Sequence, residues 1–150
     1  MLFRSMPKVT FMVDGGLFDL ELDPDFKDNR TFYFSFAEPR KNGSGLSIAS
    51  AVLSSDEKQA QDVKVIFRVE PDVGIPAHFG SRLLFDKEGK LLVTTGERFL
   101  DNIRVQSQWL SSDLGKILRI NKDGAPASNN PSFPDSANGG GLGWVIHEGP

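Results

Sequence analysis

Apolar and polar positions alternate along this chain in short runs, and turn residues separate the runs. In "LFDLEL" (17–22) apolar residues alternate with acidic ones, the two-residue period of a strand with one buried face. "TFYFSFAE" (31–38) is continuous and β-prone, which predicts a strand buried on both faces. "LSIASAVLS" (46–54) and "DVKVIFRVE" (62–70) predict two more strands, with the polar "SDEKQAQ" between them as a hairpin tip or short loop. "RLLFDKEGKLLVTTGE" (82–97) reads as two apolar β runs around the turn Lys87-Glu88-Gly89, where Gly89 tolerates positive φ. "LGKILRI" (114–120) predicts a further strand, and "WVIHEGP" (144–150) a short last one.

The segments between them carry turn chemistry. "DPDFKDN" (23–29), "PRKNGSG" (39–45) and "NKDGAP" (121–126) predict turns or loops, and residues 126–143 are almost pure loop composition. Residues 98–113 hold at most one short helical turn, weakened by Ser and Asp. The fold class is therefore all-β. A faint repeat runs through it: apolar strand, Asp, turn, apolar strand, with Asp23 and Asp86 at equivalent places. A repeat of four short strands is a propeller-blade signature, but two hairpins in a sandwich give the same pattern, and the pattern alone leaves both open.

Composition narrows the function classes. At 150 residues the chain has the length of one domain. With 39% hydrophobic and 25% charged residues it reads as globular. A net charge of −3 gives no electrostatic reason to expect nucleic acid. No apolar run approaches the roughly 20 residues of a membrane helix, so no membrane span is expected. The start, "MLFRSMPKVTFMV", is interrupted by Pro7 and Lys8 and is not read as a signal peptide. With no cysteine, disulfides, thiolate metal sites and cysteine nucleophiles are excluded.

Two histidines are present, and one is placed for chemistry. His78 precedes a strand–turn–strand pattern that Glu97 closes. An imidazole with an ordinary pKa near 6.5 accepts a proton at neutral pH, and a nearby carboxylate orients it and raises its basicity. An ordinary loop histidine and a water-facing strand-end acid remain the plain alternatives. Asp23, Asp25 and Asp28 lack the ligand spacing of a calcium loop and read as turn formers, so no metal ligand is assigned.

Three segments in order, "GGLFDLELDPDFKDNRTFYFSFAEP", "AHFGSRLLFDKEGKLLVTTGERF" and "SQWLSSDLGKILRINKDGAPASNNPSF", resemble the soluble quinoprotein sugar dehydrogenases, the glucose/sorbosone dehydrogenase family that includes aldose sugar dehydrogenases. They span roughly residues 14–133 of a single domain, 1–150. The resemblance implies a partial six-bladed β-propeller of about two to three four-stranded antiparallel blades, with open sheet edges prone to self-association. It implies oxidation of an aldose at its anomeric carbon to a lactone, with pyrroloquinoline quinone (PQQ) and calcium as cofactors and an external electron acceptor. It puts His78 in the role of catalytic base, Asp14 and Gln108 beside the cofactor, and Glu97 and Arg82 behind the substrate. It also implies a periplasmic or secreted location. Val13-Asp14 stands where the family usually has Gly-Gln, which sets an acid near the quinone's own carboxylates. Beyond Phe133 the chain departs from the family pattern. A non-catalytic propeller-derived binding module and a calcium-dependent lactonase-type hydrolase are the rival functions.

Overall fold

The computed structural model describes residues 6–131. Strands β1 (Leu17–Leu22), β2 (Thr31–Arg40), β3 (Gly43–Leu53) and β4 (Ala60–Arg68) form a four-stranded antiparallel meander in chain order. Strands β5 (Gly80–Phe85), β6 (Leu91–Thr95) and β7 (Ile117–Ile120) form a second, three-stranded one. Single helical turns lie at α1 (Phe26–Asn29) and α2 (Asp101–Arg104), and α2 runs on into a 3-10 turn, Val105–Gln108.

The alternation along β2 explains how the sheets stack. Tyr33 and Ala37 join Leu46 and Ile48 of β3 on one face and meet Leu83, Leu91, Val93, Leu118 and Ile120 of the second sheet. Phe34 and Phe36 point the other way, with Ala49 and Ala51, under Met6, Val9, Val63 and Val65. Every residue from Tyr33 to Ala37 is buried, as the uninterrupted apolar run requires. Two meanders stacked face to face in chain order are two adjoining blades of a β-propeller.

Polar side chains lock the blades together. Ser35 Oγ donates to the Ser81 carbonyl at 3.0 Å and accepts the Asp19 N–H at 3.1 Å. Asp19 Oδ2 accepts the Leu83 N–H at 2.8 Å. The sequence repeat is real in space. Asp23 accepts the Asp25 N–H and Asp86 the Glu88 and Lys90 N–H groups, each in the turn between the first two strands of its blade. Each also holds a cation, Lys122 on Asp23 and Arg119 on Asp86.

Two expectations need adjustment. The "PRKNGSG" segment is a tight hairpin rather than a loop, because β2 runs to Arg40, β3 starts at Gly43, and these two residues pair. Its polar groups find partners across the sheet. Arg40 donates to the Val69 and Leu46 carbonyls and to Ser47 Oγ, while Glu38 accepts from Ser47 Oγ and Arg68. The second blade shows three strands rather than four among the described residues. The strand expected at 144–150 lies outside the described residues.

Burial alone would raise the Glu38 carboxyl, but hydrogen bonds from Arg68 and Ser47 outweigh it and hold the group below the usual carboxylate range. A carboxyl depressed in the folded state contributes stability above its unfolded pKa of about 4.3 and loses it as pH falls through the folded value. The unfolding free energy should therefore fall as pH drops below about 5 and on through the depressed folded value, and Glu38→Gln should flatten part of that fall. Urea unfolding across that range checks it; parallel curves for both proteins would refute the assignment.

Candidate active site

His78 lies in the connection from β4 to β5, at the end of the second blade where β6 also finishes. Its backbone is left-handed, with φ 46°, which is unusual for a side chain with a Cβ. Three hydrogen bonds in and around the residue hold it there. The His78 N–H donates to Asp14 Oδ2 at 3.2 Å, and the Asp14 N–H donates to the Pro76 carbonyl at 3.1 Å. The residue after β6, Gly96, donates its N–H to the Phe79 carbonyl at 2.8 Å. A Cβ on Gly96 would stand 1.9 Å from the His78 carbonyl oxygen, so only glycine permits this approach.

That approach brings Glu97 onto the imidazole. His78 Nδ1 and Glu97 Oε1 are 2.6 Å apart, and the two side chains are 46% and 34% exposed. A carboxylate only accepts, so Nδ1 carries the proton, and in the neutral ring Nε2 is left as the basic nitrogen. Burial on its own would raise the Glu97 carboxyl; the hydrogen bond from His78 leads the effects that outweigh it and keep the group ionised. The same Oε1 also accepts the Phe99 N–H at 3.3 Å. The Phe99 ring meets the imidazole edge-on at 5.1 Å. The site thus presents a half-exposed imidazole, oriented by a carboxylate on one nitrogen and walled by an aromatic ring.

Arg98, which sequence reading passed over, is the most buried charge nearby, at 1% exposure. Its guanidinium donates to the Ala77, Ile75 and Ser44 carbonyls at 2.9, 2.6 and 3.1 Å and lies 4.0 Å over the Phe79 ring. Burial, with Arg40 nearby, lowers its pKa to about 10, so it stays charged at neutral pH. Strand alternation through Leu91, Val93 and Thr95 puts Glu97 inward and Arg98 outward. The structure reverses this because the strand stops at Thr95 and the chain turns left-handed at Arg98 and Phe99, φ 69° and 75°.

The other expected residues are placed less tightly. Gln108 ends the 3-10 turn, exposed, and its side chain has no hydrogen-bond partner among the described residues. The turn itself is pinned by Lys116, whose Nζ donates to the Ser107 and Leu114 carbonyls at 2.7 Å each. Burial lowers Lys116 to about 8, with Asp113 opposing. Arg82 is 80% exposed, with Nε 3.7 Å from Asp19 Oδ2, a loose ion pair. No group of three or more histidine or carboxylate side chains converges as a metal site among the described residues. No helix there is long and apolar enough to cross a membrane.

Gly96→Ala should unfold more readily by about 1–3 kcal/mol, because an added methyl overpacks against backbone that cannot yield. Gly89→Ala meets open space and carries only the strain of φ 70°, so it should cost less. Denaturation midpoints of the two variants check the order, and equal midpoints would contradict the close approach.

The family profile described as Glucose / Sorbosone dehydrogenase matches residues 2–140. The aldose sugar dehydrogenase YliI of Escherichia coli (strain K12) is 33% identical over 133 residues, which is 88% of this chain and 35% of that protein. A solved glucose dehydrogenase superposes with a TM-score of 0.83 at 33% identity, over 92% of this chain and 40% of that one. The PQQ-bound aldose sugar dehydrogenase of Streptomyces coelicolor superposes with a TM-score of 0.71 at 27% identity, over 93% and 37%. The chain thus spans between a third and two fifths of the length of these relatives, and the propeller implied by its motifs is the fold they share with it. On the profile match across most of its length, the chain belongs to the glucose/sorbosone dehydrogenase family.

Proposed function

We propose that this chain carries the proton-accepting part of a PQQ-dependent aldose dehydrogenase, with His78 as the general base. The single observation behind the reading is the 2.6 Å contact between His78 Nδ1 and Glu97 Oε1. Oxidation at an anomeric carbon removes a hydroxyl proton and a hydride from one C–O unit. Nε2 of a neutral His78 takes that proton, and Glu97 holds the ring in the required tautomer and stabilises the imidazolium that forms. Phe99 stands against one side of the ring.

The donor set fits a quinone partner on its chemistry. When bound, PQQ supplies the hydride acceptor, so the protein needs a base and positioning groups rather than a redox side chain. Gln108, an exposed amide without a partner among the described residues, is the donor this chain offers to a cofactor carboxylate. Asp14, engaged through Oδ2 with the His78 N–H, brings like charge, and calcium between Asp14 and the cofactor would remove that conflict. Arg82 is assigned to positioning Asp19 on the sheet rather than to substrate. Support for the cofactor comes from the PQQ-bound Streptomyces coelicolor relative, and support for a sugar substrate from the names of the relatives. An external electron acceptor and a periplasmic or secreted location complete the proposal.

The test is reconstitution with PQQ and calcium and a dye-linked assay on glucose and other aldoses. His78→Ala should lower kcat by about 10²–10⁴-fold, the range of general-base removal, and Glu97→Gln should lower it less. Turnover unchanged in His78→Ala would end the base assignment. A folded protein that binds no PQQ would favour a non-catalytic module, and lactone hydrolysis without quinone would favour the hydrolase.

A further inference from the structure

We infer that Arg98 is a positioning residue: its buried guanidinium sets the distance between His78 and Glu97, and ties that distance to the packing of the two blades. The inference rests on the His78–Glu97 reading above and adds a residue to it.

Four observations converge. Arg98 is directly bonded to Glu97 through the backbone, and its side chain is bonded by Nε to the carbonyl of Ala77, the residue before His78. One side chain therefore spans the two segments that carry the base and its carboxylate. The terminal nitrogens continue to the Ile75 carbonyl, on the same connection, and to the carbonyl and hydroxyl of Ser44, on β3 of the other blade. The Phe79 ring closes the remaining face of the guanidinium at 4.0 Å.

The backbone gives the same answer from the other side. His78, Arg98 and Phe99 all occupy the left-handed region, and none is glycine. Such residues persist where the surroundings over-determine them. The guanidinium bonds fall on carbonyls of the His78 segment while its backbone continues the Glu97 segment, so it adds to the Asp14 and Gly96 bonds a restraint that joins the two. Arg40 also joins the β4–β5 connection to β3, but at Val69, farther along the chain from His78 than the Ala77 and Ile75 carbonyls that Arg98 holds. Asp14 restrains His78 only through its backbone N–H, and Glu97 reaches only the ring and the Phe99 N–H. The charged groups around the imidazole are thus Glu97 on its ring, Asp14 on its backbone and Arg98 behind both.

Lysine cannot replace this arrangement. The guanidinium is a planar fork that meets three carbonyl directions at once, whereas an ammonium is a point donor on a flexible stem. Its planarity also lets it lie flat on Phe79.

The experiment reads the His78 Nδ1 proton in the 15N-labelled chain. A ring N–H held at 2.6 Å by a carboxylate gives a low-field, slowly exchanging resonance. Its absence in His78→Gln assigns it to His78, and its absence in Glu97→Gln assigns the partner. In Arg98→Met and Arg98→Lys, with the fold verified by circular dichroism, the resonance should be lost to exchange. In reconstituted enzyme the same variants should lose about 10²-fold in kcat with KM little changed, the cost of about 1 Å of misplacement. Retention of the resonance in folded Arg98→Met would overturn the inference and leave the dyad reading intact. Its absence from the parent chain would overturn the dyad reading, and this inference with it. Should Arg98→Met not fold, Ser44→Ala, which removes one acceptor of Arg98, decides: faster exchange supports the inference, and an unchanged rate overturns it.

Discussion

The site depends first on the packing of one blade against the next. Two small sheets do not hold a loop-borne histidine at a fixed place by themselves, because loops are mobile unless a scaffold fixes them. Here Tyr33 and Ile48 of one blade and Leu91, Val93 and Leu118 of the other form a continuous apolar layer between the sheets. Burying side chains of this size contributes about 1.5–3 kcal/mol each, the largest favourable contribution available to a chain without disulfides. The buried hydrogen bonds from Ser35 and Asp19 add direction to that layer, since each leaves its own blade to meet β5. Their strength is modest, but they fix register where apolar contact alone permits sliding.

On that platform the chain stores local strain. Left-handed backbone at His78, Arg98 and Phe99 costs about 1–3 kcal/mol for each residue. Hydrogen bonds to a charged donor return about 1.5–3 kcal/mol each, and Arg98 makes three of them to carbonyls. These bonds, with those from Asp14 and Gly96, help offset the strain of the loops, although burying the guanidinium carries its own desolvation cost. Gly96 removes the remaining obstacle, since any side chain there meets the His78 carbonyl.

How much of this was legible in the sequence follows from how far each signal reaches. The strands at 17–22 and 31–38 were readable because apolar period and burial are local properties of a strand. The Asp23 and Asp86 turns were readable for the same reason, as an aspartate accepting N–H groups a few residues ahead. His78 and Glu97 stood out from position around one hairpin, although they lie 19 positions apart and only the structure puts them in contact. Arg98 and the "PRKNGSG" hairpin were not readable. Their polar side chains look like surface, yet their partners are carbonyls and hydroxyls that only the folded sheet brings near. Ser44, 54 positions before Arg98, is the extreme case. The left-handed turn at Arg98 and Phe99 was not readable either, because no apolar period records it.

The electrostatics of the site follow from this division between what is buried and what is open. Arg98 faces carbonyl oxygens and an aromatic face, so its charge is spent within the frame and is not offered to a ligand. The groups turned toward solvent are the imidazole, the Glu97 carboxylate and Asp14, one base and two acids. Glu97 accepts the ring proton on Nδ1, while Asp14 meets the backbone N–H of the same residue rather than its ring. An anionic cofactor meets the same carboxylates as repulsion. A cation beside Glu97 and Asp14 would offset that repulsion, since opposite charge close to a carboxylate favours its ionised form.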